Sequence, residues 1–363
     1  MRRSLRRAAA ALGAALLAVL PASAARAADQ QRAAQWYFAP MKLAEAQKLG
    51  NCGEGVVVAV LDSGVDTKHQ DLRGATVPGR YLPVDQPDDD IDTGPHGTGI
   101  AVLIAGRGHG SGDGLLGVAP RSKVMPLRPI DDPLTVANGI RWAVRNGAKV
   151  INMSFNLDSG DTVQKAVDDA VAADVVLVAG VGNDHAAVGE PAALRGVLGV
   201  GAVDQNDKVA SFSNVGAGVD LVAYGTKIPT AAPRNRYGVS KGTSDATALV
   251  SGVVALMRAR YPDMSAAEVV DRLTGTATDR GPKGRDDEYG YGQLDAVGAL
   301  TAPRARPSDS PAVEDSTKAA DVPITTTPAS ESSGIPPLLI VAVGALLLIV
   351  ALAAFMIVRA RRG

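Results

Sequence analysis

The sequence predicts an α/β fold built on a mostly parallel sheet. Two observations carry this prediction. Six short runs are apolar for most of their length: Val56–Leu61, Lys123–Leu127, Val150–Met153, Val175–Ala179, Val197–Val203 and Leu221–Ala223. Runs of this kind belong to strands buried on both faces, as parallel strands are. Helical patterns fall between them, at Gly97–Ala105, Thr135–Asn146, Thr162–Ala173, Leu249–Tyr261 and Ser265–Thr274. Alternation of strand with helix marks crossover connections in a parallel sheet. Ser265 and Glu268 have the spacing of a capping box, which places a helix start. No internal repeat interrupts the pattern.

Several elements end in residues with chemistry. The first strand runs into Asp62-Ser63-Gly64, and the carboxyl ends of parallel strands are where ligand and catalytic groups gather. His96-Gly97-Thr98-Gly99 opens an apolar helix that packs closely through glycine. Val175–Ala179 leads into Gly180-Val181-Gly182-Asn183. An asparagine amide at a strand end can donate to an oxyanion; alone, Asn183 reads better as a turn residue, and beside the other three segments it reads as the oxyanion donor. Gly242-Thr243-Ser244-Asp245-Ala246-Thr247-Ala248 leads into the helical run Leu249–Met257. Serine is a common N-cap, and its hydroxyl is a poor nucleophile until a base takes its proton. Asp62 and His96 upstream supply that base and its orienting carboxylate. The order Asp, His, Ser is the subtilisin order of a catalytic triad.

The segments VAVLDSGVD, HGTGIAVLIAG, AGVGN and GTSDATALVSG resemble the four signature blocks of the subtilisin-like serine proteases, the S8 family. They are spread between Val56 and Gly252. The resemblance implies a three-layer α/β/α sandwich and an endopeptidase with Asp62, His96 and Ser244 as its triad and Asn183 in its oxyanion hole. It implies a substrate cleft along Pro126–Arg128 and Ser154–Asn156, with Ser154, Phe155, Asn156, Gly180 and Gly182 binding substrate. No cofactor and no metal site are expected. After the nucleophile the family usually reads Ser-Met-Ala-Ala-Pro-His. Here Asp245, Thr247 and Ala248 stand instead. Asp245 is expected to point to solvent; the other reading is that its charge favours an imidazolium at His96 and blunts the base.

The ends of the chain speak to location. Arg2, Arg3, Arg6 and Arg7 precede the apolar run Ala8–Leu20 and two small-residue cleavage sites, Ala22-Ser23-Ala24 and Ala25-Arg26-Ala27. Residues 1–27 read as a secretory signal peptide. Residues 28–50 form an N-terminal extension, too short for a folded inhibitory prodomain and expected to wrap the catalytic domain, 51–300. Residues 301–334 are rich in Pro, Ser, Thr and Ala, a composition that cannot bury enough surface to order itself, and read as a flexible tether. Leu338–Val358 is uncharged and, at about 1.5 Å per residue, long enough to cross a hydrocarbon core of about 30 Å as a single transmembrane helix. Arg359, Arg361 and Arg362 follow. Residues 359–363 are therefore a cytoplasmic tail, and the catalytic domain is extracytoplasmic on the cell membrane.

The remaining features exclude more than they assign. A net charge of −1 gives no electrostatic case for nucleic acid. Cys52 is the one cysteine, so no intrachain disulfide forms; a free, half-buried thiol is expected. His69, His109 and His185 lack metal-ligand spacing and are expected at the surface. Asp88, Asp89, Asp90 and Asp92 are expected in a solvated loop, the alternative being a site for calcium or for basic substrate side chains; Trp36 and Trp142 are expected in packing roles.

Signal peptide, protease domain, tether, anchor and basic tail together are similar to the mycosins, proteases associated with type VII secretion in actinobacteria. The stretch ALMRARYPDMSAAEV is similar as well; the lone cysteine departs from a group that often carries disulfides. This resemblance implies protein or peptide substrates, a type VII secretion membrane complex as partner, and attachment to the membrane through the C-terminal helix. The alternative is a mainly structural component of such a complex, with weak or dispensable proteolysis.

Overall fold

The structure, a computed structural model, describes residues 30–84, 95–129, 132–158 and 160–303. The expected signal peptide, the tether beyond Pro303, the spanning segment 338–358, the basic tail and the acidic loop with Asp88, Asp89, Asp90 and Asp92 lie outside the described residues. Among the described residues no helix is long and apolar enough to cross a membrane.

Seven strands form one sheet in the order β2-β5-β1-β6-β7-β8-β9. They are β1 (Val57–Leu61), β2 (Arg80–Tyr81), β5 (Lys123–Arg128), β6 (Val150–Met153), β7 (Val176–Gly180), β8 (Val197–Val203) and β9 (Leu221–Tyr224). Every neighbouring pair is parallel. All but the short edge strand β2 lie where the apolar runs place them, within a residue at each end. They are Val- and Leu-rich because both faces are covered.

The cover comes from crossover helices: α3 (Pro95–Ala105), α4 (Pro133–Arg145), α5 (Gly160–Ala172) and α6 (Thr243–Arg260). From β1 the chain steps to β5 on one side, then returns past β1 to β6. Right-handed crossovers in opposite directions place α3 and α4 on opposite faces. Helix α3 packs on α6, and α4 packs on α5. The reversal at β1 opens a crevice at its carboxyl end, and the Asp62 N–H extends the β1–β5 ladder by bonding Leu127 O at 2.9 Å. The chain's first chemically marked carboxylate thus sits at the switch point of the sheet.

Helix α7 (Ala266–Thr276) begins at Ser265, which forms the expected capping box with Glu268. Residues 30–49 fold onto the domain through α1 (Gln30–Ala33) and α2 (Leu43–Leu49). The Gln35 side chain pairs with the edge of β4 (Asp113–Leu116) like a short strand, donating to Leu116 O at 2.8 Å and accepting its N–H at 2.9 Å. Trp36 donates to Lys227 O at 2.9 Å and packs edge-on against Tyr224. Trp142 packs partly buried against the core, and Cys52 is a free, half-buried thiol.

Two antiparallel hairpins escape the sequence pattern. One pairs β3 (Arg107–His109) with β4; the other pairs β10 (Ile228–Ala232) with β11 (Arg236–Ser240). They correct the expectation for His69. This residue is completely buried, its Nδ1 accepting the Asp71 N–H and its ring lying edge-on to Tyr237 of β11. Burial opposes its charged form and holds its pKa below 6.5, despite nearby Asp71. His109 is likewise no simple surface residue: it is half-buried with Nδ1 2.7 Å from Asp71 Oδ1. His185 is exposed as expected.

Candidate active site

Asp62 leaves β1 at its carboxyl end with a side chain 3 % exposed. His96 is the second residue of α3. Its Nδ1 lies 2.9 Å from both oxygens of Asp62, while the imidazole is 46 % exposed to the cleft. Gly97 makes this approach possible: a Cβ there would stand 2.3 Å from Gly64 O and 3.1 Å from Asp62 Cβ. The carboxylate is held in turn by the Ser63 N–H at 2.7 Å, and Ser63 Oγ accepts the Gly97 N–H. Burial is the largest influence on His96 and works against its charged form. The hydrogen bond and attraction of Asp62, joined by the charge of Asp245, outweigh it, and the pKa lies above 6.5.

Ser244 lies in the first turn of α6, half-buried. It is not the cap. Gly242 occupies that position and has no side chain to cap with. Ser244 Oγ instead points to Ser154 O at 3.5 Å. Helix α6 therefore begins six residues before the expected Leu249, and its first turn carries the serine. Asn183 follows β7. Its Oδ1 accepts the Thr243 N–H at 2.8 Å, which fixes the amide and leaves the Nδ2 hydrogens as donors. Gly182 has φ +112°, and a Cβ there would stand 2.3 Å from Asn214 Nδ2, so the turn into Asn183 requires glycine.

All four residues line one cleft of about 410 Å³, shared with Ser63, Pro129, Val136, Ser154, Phe155 and Leu157. A second depression of about 210 Å³ adjoins it at Asn183 and Ser244. Ser154, Phe155, Asn156, Gly180 and Gly182, the five expected substrate-binding residues, line it together with Asp184. The Asn156 amide lies across its glycine wall, 2.8 Å from where a Gly182 Cβ would stand.

Asp245 corrects the expectation of a solvent-facing carboxylate. It is 4 % exposed and accepts the Ser240 hydroxyl at 2.8 Å. The helix starts at Thr243, so the residue after the serine turns inward against β11 and the extension, where its charge is felt at buried Tyr37. Burial pushes its pKa up to about 7, against the Ser240 hydrogen bond and the attraction of His96. This lowers the cost of burying a carboxyl group whose hydrogen bond comes from a neutral hydroxyl. Thr247 is also internal, its hydroxyl bonding back to Thr243 O at 2.7 Å; Ala248 is fully buried.

Two supporting residues carry no motif. Asn214, 3 % exposed, accepts the N–H groups of Asp184 and Ala186 at 3.0 Å and donates to Ala187 O at 2.9 Å. Its own N–H bonds Gly182 O. Asn152, wholly buried in β6, donates to Ser251 and accepts the Ser154 hydroxyl at 3.1 Å. A sequence shows an Asn in a loop or a strand; it does not show which distant loop that amide ties down.

A carboxylate-bound imidazole, a serine hydroxyl and an amide donor around one cleft are the equipment of a serine hydrolase. The sheet and its switch point place that equipment in an α/β serine hydrolase. The chain belongs to the subtilase family, whose model, Peptidase_S8, matches residues 53–292. It is 36 % identical to subtilisin DY of Bacillus licheniformis over 264 residues, covering 70 % of this chain and 93 % of that one. It is 38 % identical to alkaline elastase YaB of Bacillus sp. (strain YaB) over 265 residues, covering 70 % and 67 %. Among solved structures it is similar to MycP1 crystallised with its N-terminal propeptide removed, at TM-score 0.63 and 28 % identity, covering 74 % of this chain and 98 % of that one.

Proposed function

We propose that the protein is a membrane-anchored, extracytoplasmic serine endopeptidase that cleaves peptide bonds with Asp62, His96 and Ser244 and works beside a type VII secretion complex. The observation that carries the chemistry is the His96 imidazole. Both oxygens of Asp62 engage Nδ1, which leaves Nε2 as the nitrogen for proton transfer at the cleft that Ser244 lines.

Ser244 Oγ attacks the scissile carbonyl carbon as His96 Nε2 takes its proton. Asp62 stabilises the imidazolium. The carbonyl oxygen becomes an oxyanion and accepts a hydrogen bond from Asn183 Nδ2. Collapse breaks the C–N bond, His96 returns the proton to the leaving amine, and the acyl group remains on Ser244 as an ester. Water attacks that ester with His96 again as base; the acid leaves and Ser244 regains its proton. Ser154, Phe155, Asn156, Gly180 and Gly182 receive the substrate side chain.

The anchoring reading rests on the sequence of the two ends, and the secretion partner on the likeness to MycP1. A detergent-extracted full chain should label with a serine-directed fluorophosphonate, and Ser244→Ala should not. Absence of labelling in a folded wild-type protein overturns the enzymatic reading. A chain ending at Pro303 should leave the membrane fraction, and recovery of both forms in the pellet overturns the anchor. In the host, secretion that persists with Ser244→Ala but stops on loss of the chain assigns the structural role instead.

The proposed base also sets a pH profile. His96 must be neutral to accept the proton, and its pKa is held above 6.5. Activity should therefore be low at pH 5 and rise with an acid limb of kcat/KM centred above 6.5. Asp245 titrates in the same range, so the two groups share the limb. A limb centred below pH 6 would refute this assignment.

A further inference from the structure

A cleft of about 680 Å³ is lined by Glu54, Gly55, Arg107, Pro120, Arg121 and Lys123. It lies at the opposite end of the sheet from the catalytic residues. Gly55 precedes β1 and Lys123 opens β5, whereas Asp62 follows the last residue of β1. Five strand residues at about 3.3 Å each separate the two ends.

The lining is charged and unbalanced. Arg121 has a partner, Glu54 Oε1, at 2.6 Å. Lys123 Nζ donates to Gly74 O at 2.6 Å. Among the described residues Arg107 has no carboxylate partner, and its buried Nε makes no hydrogen bond. Its Nη1 lies 3.3 Å from where a Gly74 Cβ would stand. Arg107 and Lys123 therefore converge on the same glycine, two like charges in one concavity without an acid between them. Three cations and one carboxylate leave two positive charges in the cleft, within a chain whose net charge is −1. Guanidinium forks beside an ammonium suit a tetrahedral oxyanion.

We propose that this cleft is a binding site for a phosphate-type dianion, held by Arg107 with Lys123 and Arg121. Two sources share that chemistry: free phosphate and the phosphomonoester headgroup of a lipid. The site is independent of peptide-bond cleavage.

The test is calorimetric titration of the detergent-extracted full chain with inorganic phosphate and, separately, glycerol 3-phosphate, at constant ionic strength. Saturable binding is expected, weakened at least tenfold in Arg107→Gln. Lys123→Gln, which removes the exposed ammonium of the lining, should weaken it too and serves if Arg107→Gln does not fold. Tighter binding of glycerol 3-phosphate assigns a headgroup; tighter binding of phosphate assigns the free anion. No saturable heat from either up to about 20 mM, well beyond the millimolar range of a weak specific site, overturns the proposal. So does binding that both variants retain.

Discussion

His96→Ala should lower kcat about a million-fold while KM stays within a few-fold. The scale comes from a subtilisin, a relative in the same family, where loss of the triad histidine or serine alone costs about 2 × 10⁶ in kcat. The reason for expecting the same here is geometric. One imidazole face is committed to Asp62 at 2.9 Å, and the described cleft lining offers no second base: its other ionisable side chain is Asp62 itself. Without His96 the hydroxyl of Ser244 keeps its proton. The same reasoning makes the losses non-additive. Ser244→Ala and His96→Ala together should be no worse than either alone, because each stops the same proton transfer. Asp62→Ala should cost less, about 3 × 10⁴, since the imidazole remains but its tautomer is no longer held. Active-site titration gives the count of competent sites, and single-turnover kinetics give the chemical step. A His96→Ala enzyme within tenfold of wild type would remove His96 from the mechanism.

The candidate site was readable as a set of positions around one cleft because each of its parts ends or opens an element that periodicity marks. Asp62 ends an apolar strand, Asn183 follows another, and His96 and Ser244 open apolar helices. Such runs are legible because burial on both faces leaves no polar alternation. What surrounds the frame was less legible. The hairpin β10–β11 has three exposed positions on its outer strand and no strong alternation, so the cover it gives His69 and Asp245 left no trace in the pattern. A buried polar group is hidden for a related reason. Its tolerance depends on partners that no periodicity marks: Tyr237, far along the chain, for His69, and the Ser240 hydroxyl across the turn out of β11 for Asp245. Treating isolated histidines and acids as surface residues is sound on average, and it fails where a fold supplies those partners. The departures from the family pattern after Ser244 have the same origin. Asp245 and Thr247 both satisfy themselves inside, one on Ser240 and one on the carbonyl of Thr243.

Asn183→Ala should lower kcat about 10²–10³-fold, equivalent to about 3–4 kcal/mol of transition-state stabilisation, with little change in KM. That scale is again measured on the corresponding donor of a subtilisin. The amide donates only to charge that develops during the reaction, so its loss leaves ground-state binding in place. In this chain the donor is only as good as its loop. Asn214 holds that loop through two accepted N–H groups and one donated hydrogen, from Asp184 to Ala187. Asn214→Ala should therefore lower kcat about tenfold, in line with the roughly hundredfold that a 1 Å misplacement can cost. The decisive measurement is the cycle. If Asn214 acts through Asn183, its removal should cost almost nothing in an Asn183→Ala background, because the donor it positions is already gone. A purely structural Asn214 would lower Tm in both backgrounds, leave kcat of the folded enzyme unchanged, and show no coupling. Additive losses in kcat would mean that the loop contributes a second donor of its own, and the oxyanion would then have to be assigned to backbone N–H groups as well as to Asn183.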